Sequence, residues 1–387
     1  MTRGISQVTT SKFSRGVLIA ALLLAVSCGS EARNGGGTVS VQISGEELAT
    51  SGLPFPEGGE AHVVDGWSIR FDHVLVTVGE VTLSENPDRS PTDQSQTGAL
   101  VALARGPWAI DLAKEGTVTA EGGEGTAIPL VTLTSMTERD GDAFAADERY
   151  AFGYQTLPAS DGADKLNLDD DADALYGVMI DRGYSVLYAG TATFDADSCD
   201  VSDDEYDFER IPSTVRFELG FAAPTAYVNC QNQANQGDPF DDEVYQRGIA
   251  IPSNTGATAQ LTFHLEHAFY SALRHDPSLQ FDQIAARAVG KPEPVVLLDD
   301  LAGVDPTALT DGAGAPLPNR TCDGSALPHG QERSFDTASV PVDPGGDPEY
   351  TLRDYRDFIT FVTSAQGHLN GGEGLCFVQR KYPAPSL

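Results

Sequence analysis

The stretch "GWSIRFDHVLVTVGEVTLS" (residues 66–84) is the strongest strand signal in the sequence. Its apolar residues alternate in two registers, so two faces are predicted: Trp67, Ile69, Phe71, His73 and Leu75 on one, and Val74, Val76 and Val78 on the other. A strand that is apolar on both faces lies in the middle of a sheet and is covered on both sides. The sequence therefore predicts a β protein built around this strand.

Shorter alternating stretches, separated by Gly, Pro and Asp, continue the pattern on both sides. They are residues 38–44, 99–104, 106–112, 125–135, 148–157, 184–194, 213–221, 247–252 and 257–266. Many short strands at this spacing, with few helical stretches, are typical of an antiparallel β-sandwich or a jelly-roll-like fold. We expect the sandwich body to span residues 38–290, with a division near 160–180 if it has two subdomains.

The C-terminal region, residues 291–387, is rich in Pro, Gly and Asp and is predicted to be mostly loops. One helix is expected there over 352–366, because Thr351 and Asp354 resemble a capping box. Gly367 would then end this helix. A second helix is expected just before this region, over 277–289, opened by Asp276 as N-cap and Pro277 as first residue.

The first 27 residues are predicted to be a signal peptide. Three basic residues precede "GVLIAALLLAV" (16–26), an apolar run too short to cross a bilayer as a helix. The following "AVSC" ends at Cys28. We expect residues 28–37, which are rich in glycine, to form a flexible tether.

Small residues before a single cysteine resemble the lipobox of bacterial lipoproteins, with Ala25 at the position where that pattern prefers Leu. The resemblance implies cleavage before Cys28 and attachment of lipid to its sulfur. The residue after the lipidated cysteine is Gly29. An Asp at this position would retain a lipoprotein in the inner membrane, so the resemblance implies the outer membrane. The protein would then face either the periplasm or the cell exterior. An ordinary cleaved secretory signal is the alternative.

Parts of the mature chain are similar to secreted lipoproteins of Gram-negative bacteria. The similar parts are "GWSIRFDHVLVTVGEVTLS", "GPWAIDL" and "SAQGHLNGGEGLCFV". This resemblance implies the same location and brings no activity with it.

The charge of the chain excludes one class of partner. The formal net charge is −33, and removal of residues 1–27, which hold three basic and no acidic residues, makes it −36. Such a chain is repelled by phosphate backbones, so we expect no nucleic-acid binding. Cations are the natural small partners, and the lipid alone would hold the protein to the membrane.

Four cysteines follow Cys28, namely Cys199, Cys230, Cys322 and Cys376. An even number in an exported chain indicates two disulfides. Three pairings are possible, and we favour Cys199–Cys230 with Cys322–Cys376 because sequence neighbours close smaller loops. The C-x₂₋₄-C pairs of a four-thiolate zinc site are absent from the sequence.

No familiar catalytic motif occurs in the sequence. It has no G-x-S-x-G, no H-E-x-x-H, no Walker loop and no strand–GxGxxG–helix unit. "NLDDDADAL" (167–175) begins like an EF-hand loop, but Ala174 and Ile180 stand where that loop needs Gly and Glu. The acidic run 195–209 could gather calcium, although a solvated loop is favoured. The sequence thus favours a non-catalytic protein over an enzyme.

The stretch "LTFHLEHAFYSALRHDP" (261–277) holds His264, His267 and His275. Two histidines on one zinc ion must bring their nitrogens within ~4 Å of each other, since each bond is ~2.0–2.1 Å. A helix rises ~1.5 Å per residue and a strand ~3.3 Å per residue. At either spacing, an unbroken element holds the three histidines too far apart to bind one ion. A strand must therefore end near Glu266 for His264 and His267 to meet.

One further ligand must then come from a distant segment, and we expect His368 or His73 to supply it. Glu266 would bind the ion or orient a histidine. The hypothesis is a binding protein that holds a divalent transition metal, zinc or copper, through imidazoles. Two alternatives remain open. One is a structural or adhesive surface protein that recognises a protein or glycan, around Trp108 or Tyr245, and the other is a metal-dependent hydrolase with Glu266 as base.

Overall fold

A computed structural model describes residues 36–55, 62–123, 125–237, 240, 243–253, 255–272, 277–327 and 352–382. These residues belong to one compact unit. The predicted signal peptide, the lipidation site Cys28 and most of the tether lie outside the described residues, as do His275, Asp276 and Thr351.

The fold is mainly β, as predicted. In chain order the described strands are β1 (Val39–Ser44), β2 (Trp67–Ser84), β3 (Leu100–Ala104), β4 (Trp108–Asp111), β5 (Val118–Thr119), β6 (Thr126–Leu133), β7 (Arg149–Thr156), β8 (Asp164–Lys165), β9 (Val186–Phe194), β10 (Asp200–Val201), β11 (Thr214–Phe221), β12 (Thr225–Val228), β13 (Gln231–Gln236), β14 (Tyr245–Arg247), β15 (Ile249–Ala250), β16 (Ala257–Phe263), β17 (Val295–Leu297), β18 (Arg320–Thr321), β19 (Gly367–Leu369) and β20 (Phe377–Arg380).

The helices in the described part of the chain are short. The α-helices are α1 (Glu46–Ser51), α2 (Asp170–Arg182), α3 (Asp282–Ala285) and α4 (Tyr355–Thr363). Single 3₁₀ turns occupy Glu121–Gly123, Phe208–Arg210, Leu265–Phe269, Ala286–Ala288 and Leu298–Leu301. Among the residues described, no helix has the length and apolar character needed to cross a membrane.

Two large sheets make up the body of the described structure. The larger runs in the order β17-β11-β9-β2-β7-β12-β20, with β3 and β4 also paired to β2. The smaller has the order β19-β16-β1-β6-β5. In the smaller sheet β1 runs parallel to β16 and antiparallel to β6, so two strands end at the same edge of the sheet.

Aromatic side chains join the two sheets face to face. Phe263 of the smaller sheet lies 6.3 Å from Tyr154 and 6.4 Å from Tyr227 of the larger one, measured between ring centroids. All three side chains are buried. Helix α2 covers the opposite face of the larger sheet, where Tyr176 and Met179 are buried in a separate apolar cluster. The larger sheet is therefore covered on both sides, which confirms the sandwich predicted from residues 66–84.

The predicted faces of β2 need one correction. In the pairing with β9, Phe71 lies opposite Gly190 and His73 opposite Ala189, so Asp72 is an extra, bulged residue. The bulge shifts the alternation by one position. Trp67, Ile69 and Phe71 consequently share the main core with Val74, Val76 and Val78, whereas Leu75 lies in the cluster under α2. The prediction that His73 and Leu75 share the face of Trp67 was wrong.

The helices also differ from the prediction. The last helix begins at Tyr355, because Asp354 is itself the N-cap and accepts a hydrogen bond from the Asp357 amide. It ends at Thr363, and Gly367 opens β19 instead of ending the helix. The earlier helix is only the single turn α3. Its predicted start at Pro277 was wrong, because Leu279 forms isolated β-bridges to Val63 and Tyr270.

The acidic stretch 167–175 starts a helix that the sequence analysis missed. Asp169 is the N-cap of α2 and accepts a hydrogen bond from the Ala172 amide at 2.9 Å. Three further aspartates lie in the first turn, where they favour the positive end of the helix dipole. Gly183 closes the helix in the left-handed conformation. These are ordinary capping signals, and they could have revealed the helix.

The four cysteines form two disulfides, as predicted, but the favoured pairing was wrong. Cys199 is bonded to Cys322 and Cys230 to Cys376. The pairing of sequence neighbours was wrong, because sheet formation brings distant segments together. Cys199 and Cys322 adjoin the paired strands β10 and β18, and Cys376 immediately precedes β20.

Candidate metal centre

The parallel pairing of β1 and β16 brings a glutamate to a histidine. Ser44, the last residue of β1, lies opposite Thr262 near the end of β16. Two residues further along each chain are Glu46 and His264. Because parallel strands end at the same edge of a sheet, these two side chains meet, and His264 Nε2 lies 3.3 Å from Glu46 Oε2.

Two more histidines reach the same edge from different elements. His368 lies in β19, which pairs antiparallel with β16 and places it opposite Thr262. His267 lies in the 3₁₀ turn Leu265–Phe269. Strand β16 ends at Phe263, so the predicted break is present, three residues before Glu266.

The three imidazole rings lie close to one another. Their centroids are 4.7 Å apart for His264 and His368, 6.0 Å for His267 and His368, and 6.2 Å for His264 and His267. A bound imidazole has its centroid about 3 Å from the metal, so two rings on one tetrahedral ion lie about 5 Å apart. The observed separations are within about 1 Å of that value.

Each of the three rings is held through its Nδ1 atom by a protein oxygen. Nδ1 of His264 lies 2.8 Å from Glu266 Oε1, Nδ1 of His267 lies 3.1 Å from the Val362 carbonyl oxygen, and Nδ1 of His368 lies 3.2 Å from that of Gly374. Histidines that bind metals have this support, in which the other ring N–H donates to a carboxylate or carbonyl. Nε2 is then the nitrogen through which each ring could bind.

Two carboxylates surround His264 and control its charge. Burial alone would lower the pKa of His264, but hydrogen bonds and charge interactions with Glu266 and Glu46 outweigh it and raise that pKa to about 10. Burial alone would raise the pKa of Glu266, whereas the hydrogen bond from His264 and its charge lower it. His264 is therefore a protonated imidazolium between two carboxylates at neutral pH. Oε2 of Glu266 is buried without a hydrogen-bond partner.

In the described residues, no group of three or more His, Cys, Asp or Glu side chains has a geometry that could hold a metal ion. An ion at this edge would have to replace the His264 proton, and the rings would have to turn to direct their Nε2 atoms to one point. In this structure the cluster is a buried network of ion pairs. Its imidazole and carboxylate groups are of types that commonly bind metals.

A glycine-rich loop covers the cluster. Gly372 packs directly on the His264 ring, because a Cβ atom built on it would lie 1.9 Å from His264 Cε1. Gly374 holds His368 through its carbonyl oxygen. The same loop ends at Cys376, whose disulfide to Cys230 attaches it to the body.

The structure places the other predicted residues elsewhere. Nδ1 of His73 lies 2.8 Å from Oδ2 of the buried Asp111, so the third histidine of the cluster is His368. Trp108, proposed for an exposed recognition patch, is buried. In the acidic run 195–209, Asp203 and Asp207 accept hydrogen bonds from the nearby amides of Glu205 and Glu209, as solvated turn residues do.

Sequence reasoning missed Glu46. It has φ of 55°, a conformation rare for residues other than glycine, and it opens α1 just after β1. Only the strand register reveals that it faces His264, and register between distant strands is not written in either segment alone.

Comparisons of the chain with protein-family models, with curated proteins and with solved structures gave no match.

Proposed function

We propose that the protein is a lipid-anchored, extracytoplasmic binding protein that takes up a divalent transition metal, zinc or copper. The ligands would be Nε2 of His264, His267 and His368, with Glu46 as a fourth ligand. One observation carries this proposal: three imidazole rings from separate elements lie within 6.2 Å of one another, each with Nδ1 at an oxygen.

The types of ligand favour zinc and copper over other cations. Imidazole suits zinc and copper, whereas magnesium and calcium prefer sites made only of oxygen. All four cysteines after Cys28 are in disulfides, so no thiolate competes for the ion. The negative charge of the chain would concentrate cations near the site.

The proposed location rests on the lipobox-like sequence at Cys28 and is supported by the two disulfides, which persist in oxidising compartments. Expression in a Gram-negative host, with globomycin treatment or with a Cys28→Ser variant, tests it. The lipoprotein interpretation expects the uncleaved, lipid-modified precursor to accumulate with globomycin, and it expects Cys28→Ser to carry no lipid. A mature wild-type protein that lacks lipid would contradict it.

Binding is favoured over catalysis by the surroundings of the cluster. A catalytic zinc site keeps one position open to water and substrate. His368 is only 5% exposed, and the side chain of His264 is 17% exposed. We therefore propose a closed, four-ligand site that serves storage or transfer of the ion.

The test is metal analysis of the mature protein after incubation with excess Zn²⁺ or Cu²⁺ and removal of unbound ion. We expect one ion per chain, and loss of that ion in the His264→Ala/His267→Ala double variant. His62→Ala is the matched control, since His62 contacts Asp323 outside the cluster. A metal content that the double variant leaves unchanged would overturn the proposal.

A further inference from the structure

The second feature that points to a ligand is a cavity beside Trp67, the first residue of β2. Its volume is about 480 Å³, within the range of small-molecule sites. Trp67, Phe194 and Phe208 provide aromatic walls, and Arg320 also lines it. Strand pairing of β10 with β18 and the Cys199–Cys322 bond hold its sides together. The walls of the cavity are therefore held in place by the fold.

The side chain of Arg320 is held in one orientation by its contacts in this cavity. It is only 6% exposed. Its Nε lies 3.1 Å from Asp282 Oδ2, and its Nη2 donates to Oδ1 of the same carboxylate. The guanidinium lies between the rings of Phe194 and Phe208, at 4.3 and 4.4 Å from their centroids. Its orientation is therefore fixed.

One amino group of this guanidinium is still available. Among the residues the structure describes, Arg320 Nη1 donates to none, while Asp282 takes the donors of Nε and Nη2. Asp282 also accepts from the Trp67 indole at 2.8 Å, which fixes the deep wall of the cavity. The free donors of Nη1 and the aromatic walls together form a surface that can hold both a polar and an apolar part of one molecule.

The chemistry of the cavity selects the class of ligand. A purely apolar ligand would cover Nη1 and leave its donors without an acceptor, which is costly. An anion would meet a guanidinium already neutralised by Asp282, with Asp197 and Glu209 also among the lining residues. A neutral ligand with oxygen acceptors fits Nη1. Its own hydroxyl groups would donate to these two carboxylates, and its apolar face would pack on the rings.

We propose that this cavity binds a single sugar residue, free or at the end of a glycan. The proposal goes beyond the metal-binding function and does not depend on it. The sugar oxygens would accept from Arg320, the hydroxyl groups would donate to Asp197 and Glu209, and Phe208 would contact the C–H face of the ring.

The experiment uses the mature protein and four probes: the methyl glycosides of glucose, galactose, mannose and N-acetylglucosamine. Saturation-transfer NMR detects binding at up to about 10 mM probe, and titration gives Kd, expected near 1 mM for one sugar. We expect Phe208→Ala to raise Kd about tenfold and Glu209→Gln about threefold. Tyr184→Ala, which follows α2 and does not line the cavity, is the matched aromatic control and should change Kd less than twofold.

Three results would overturn the proposal. They are no binding of any of the four glycosides, tighter binding of benzoate than of every glycoside, or an unchanged Kd in Glu209→Gln. Glu209 is exposed, so its variant decides the question even if Phe208→Ala fails to fold. Loss of metal binding in the His264→Ala/His267→Ala variant, with sugar binding intact, would separate the two proposals.

Discussion

Nε2 of His264 and Oε2 of Glu46 lie 3.3 Å apart, although one residue follows the first strand of the fold and the other follows the sixteenth. The parallel register of β1 and β16 alone brings them together. This contact joins a carboxylate to a group of three histidines, and it raises the pKa of His264.

We predict that Glu46→Gln weakens zinc binding about 10- to 100-fold, because the ion loses a negatively charged ligand. Glu47→Gln is the matched control, since Glu47 is the next residue and is exposed. Competition titration with a chromophoric chelator measures both affinities. Equal zinc affinities for the two variants would exclude Glu46 from the site.

The metal-free protein should lose stability as the pH rises. The pKa of His264 is about 10 in the folded protein, above the ordinary value of 6.5, so its charge stabilises the fold fully below about pH 6.5. That contribution falls as the pH rises and is gone once the pH passes about 10. We expect the difference in Tm between the wild type and His264→Gln to shrink between pH 6.5 and pH 10 in the presence of a chelator. A difference that stays constant over this range would contradict the assigned charge of His264.

Gly372→Ala should disturb the cluster, because the added Cβ would lie 1.9 Å from a ring atom of His264. We expect a loss of about 1–3 kcal/mol in the free energy of unfolding, together with weaker zinc binding. Gly177→Ala is the control: its Cβ would meet nothing within 4 Å, and its helical position favours alanine by about 0.5–1 kcal/mol. Urea unfolding of both variants measures the effect, and equal stability would show that the loop can move away from His264.

Removal of each disulfide should destabilise the fold by about 2–4 kcal/mol. The two removals should differ in their effect on metal binding. Cys376 ends the loop that carries Gly372 and Gly374, so Cys230→Ser/Cys376→Ser should lower zinc affinity more than Cys199→Ser/Cys322→Ser. Zinc titration of both double variants at low temperature, where both are folded, tests this. Equal loss of affinity would show that the disulfide has no specific role at the site.

The strands were predictable because their signal is local. Alternating apolar residues in 66–84 identified β2, the longest described strand, and the same pattern located β1, β7, β9, β11 and β16. The break after Phe263 was expected only on the hypothesis that His264 and His267 share an ion; the strand does end there, and the hypothesis itself remains a prediction.

The predictions that were wrong concern features that are set by contacts between distant segments. The bulge at Asp72, which reverses the faces of His73 and Leu75, is set by pairing with β9. The disulfide pairing follows from sheet topology, because loop length alone favours sequence neighbours over the observed pairs. Glu46 joins the cluster through a strand register that no local pattern encodes.

The most direct test is anomalous diffraction at the zinc edge from crystals of the mature protein grown with Zn²⁺. The account predicts one strong peak about 2.0–2.1 Å from Nε2 of each of His264, His267 and His368, with a Glu46 oxygen at a similar distance. A zinc peak at His73 and Asp111 instead, or no peak at the histidine cluster at saturating zinc, would contradict it.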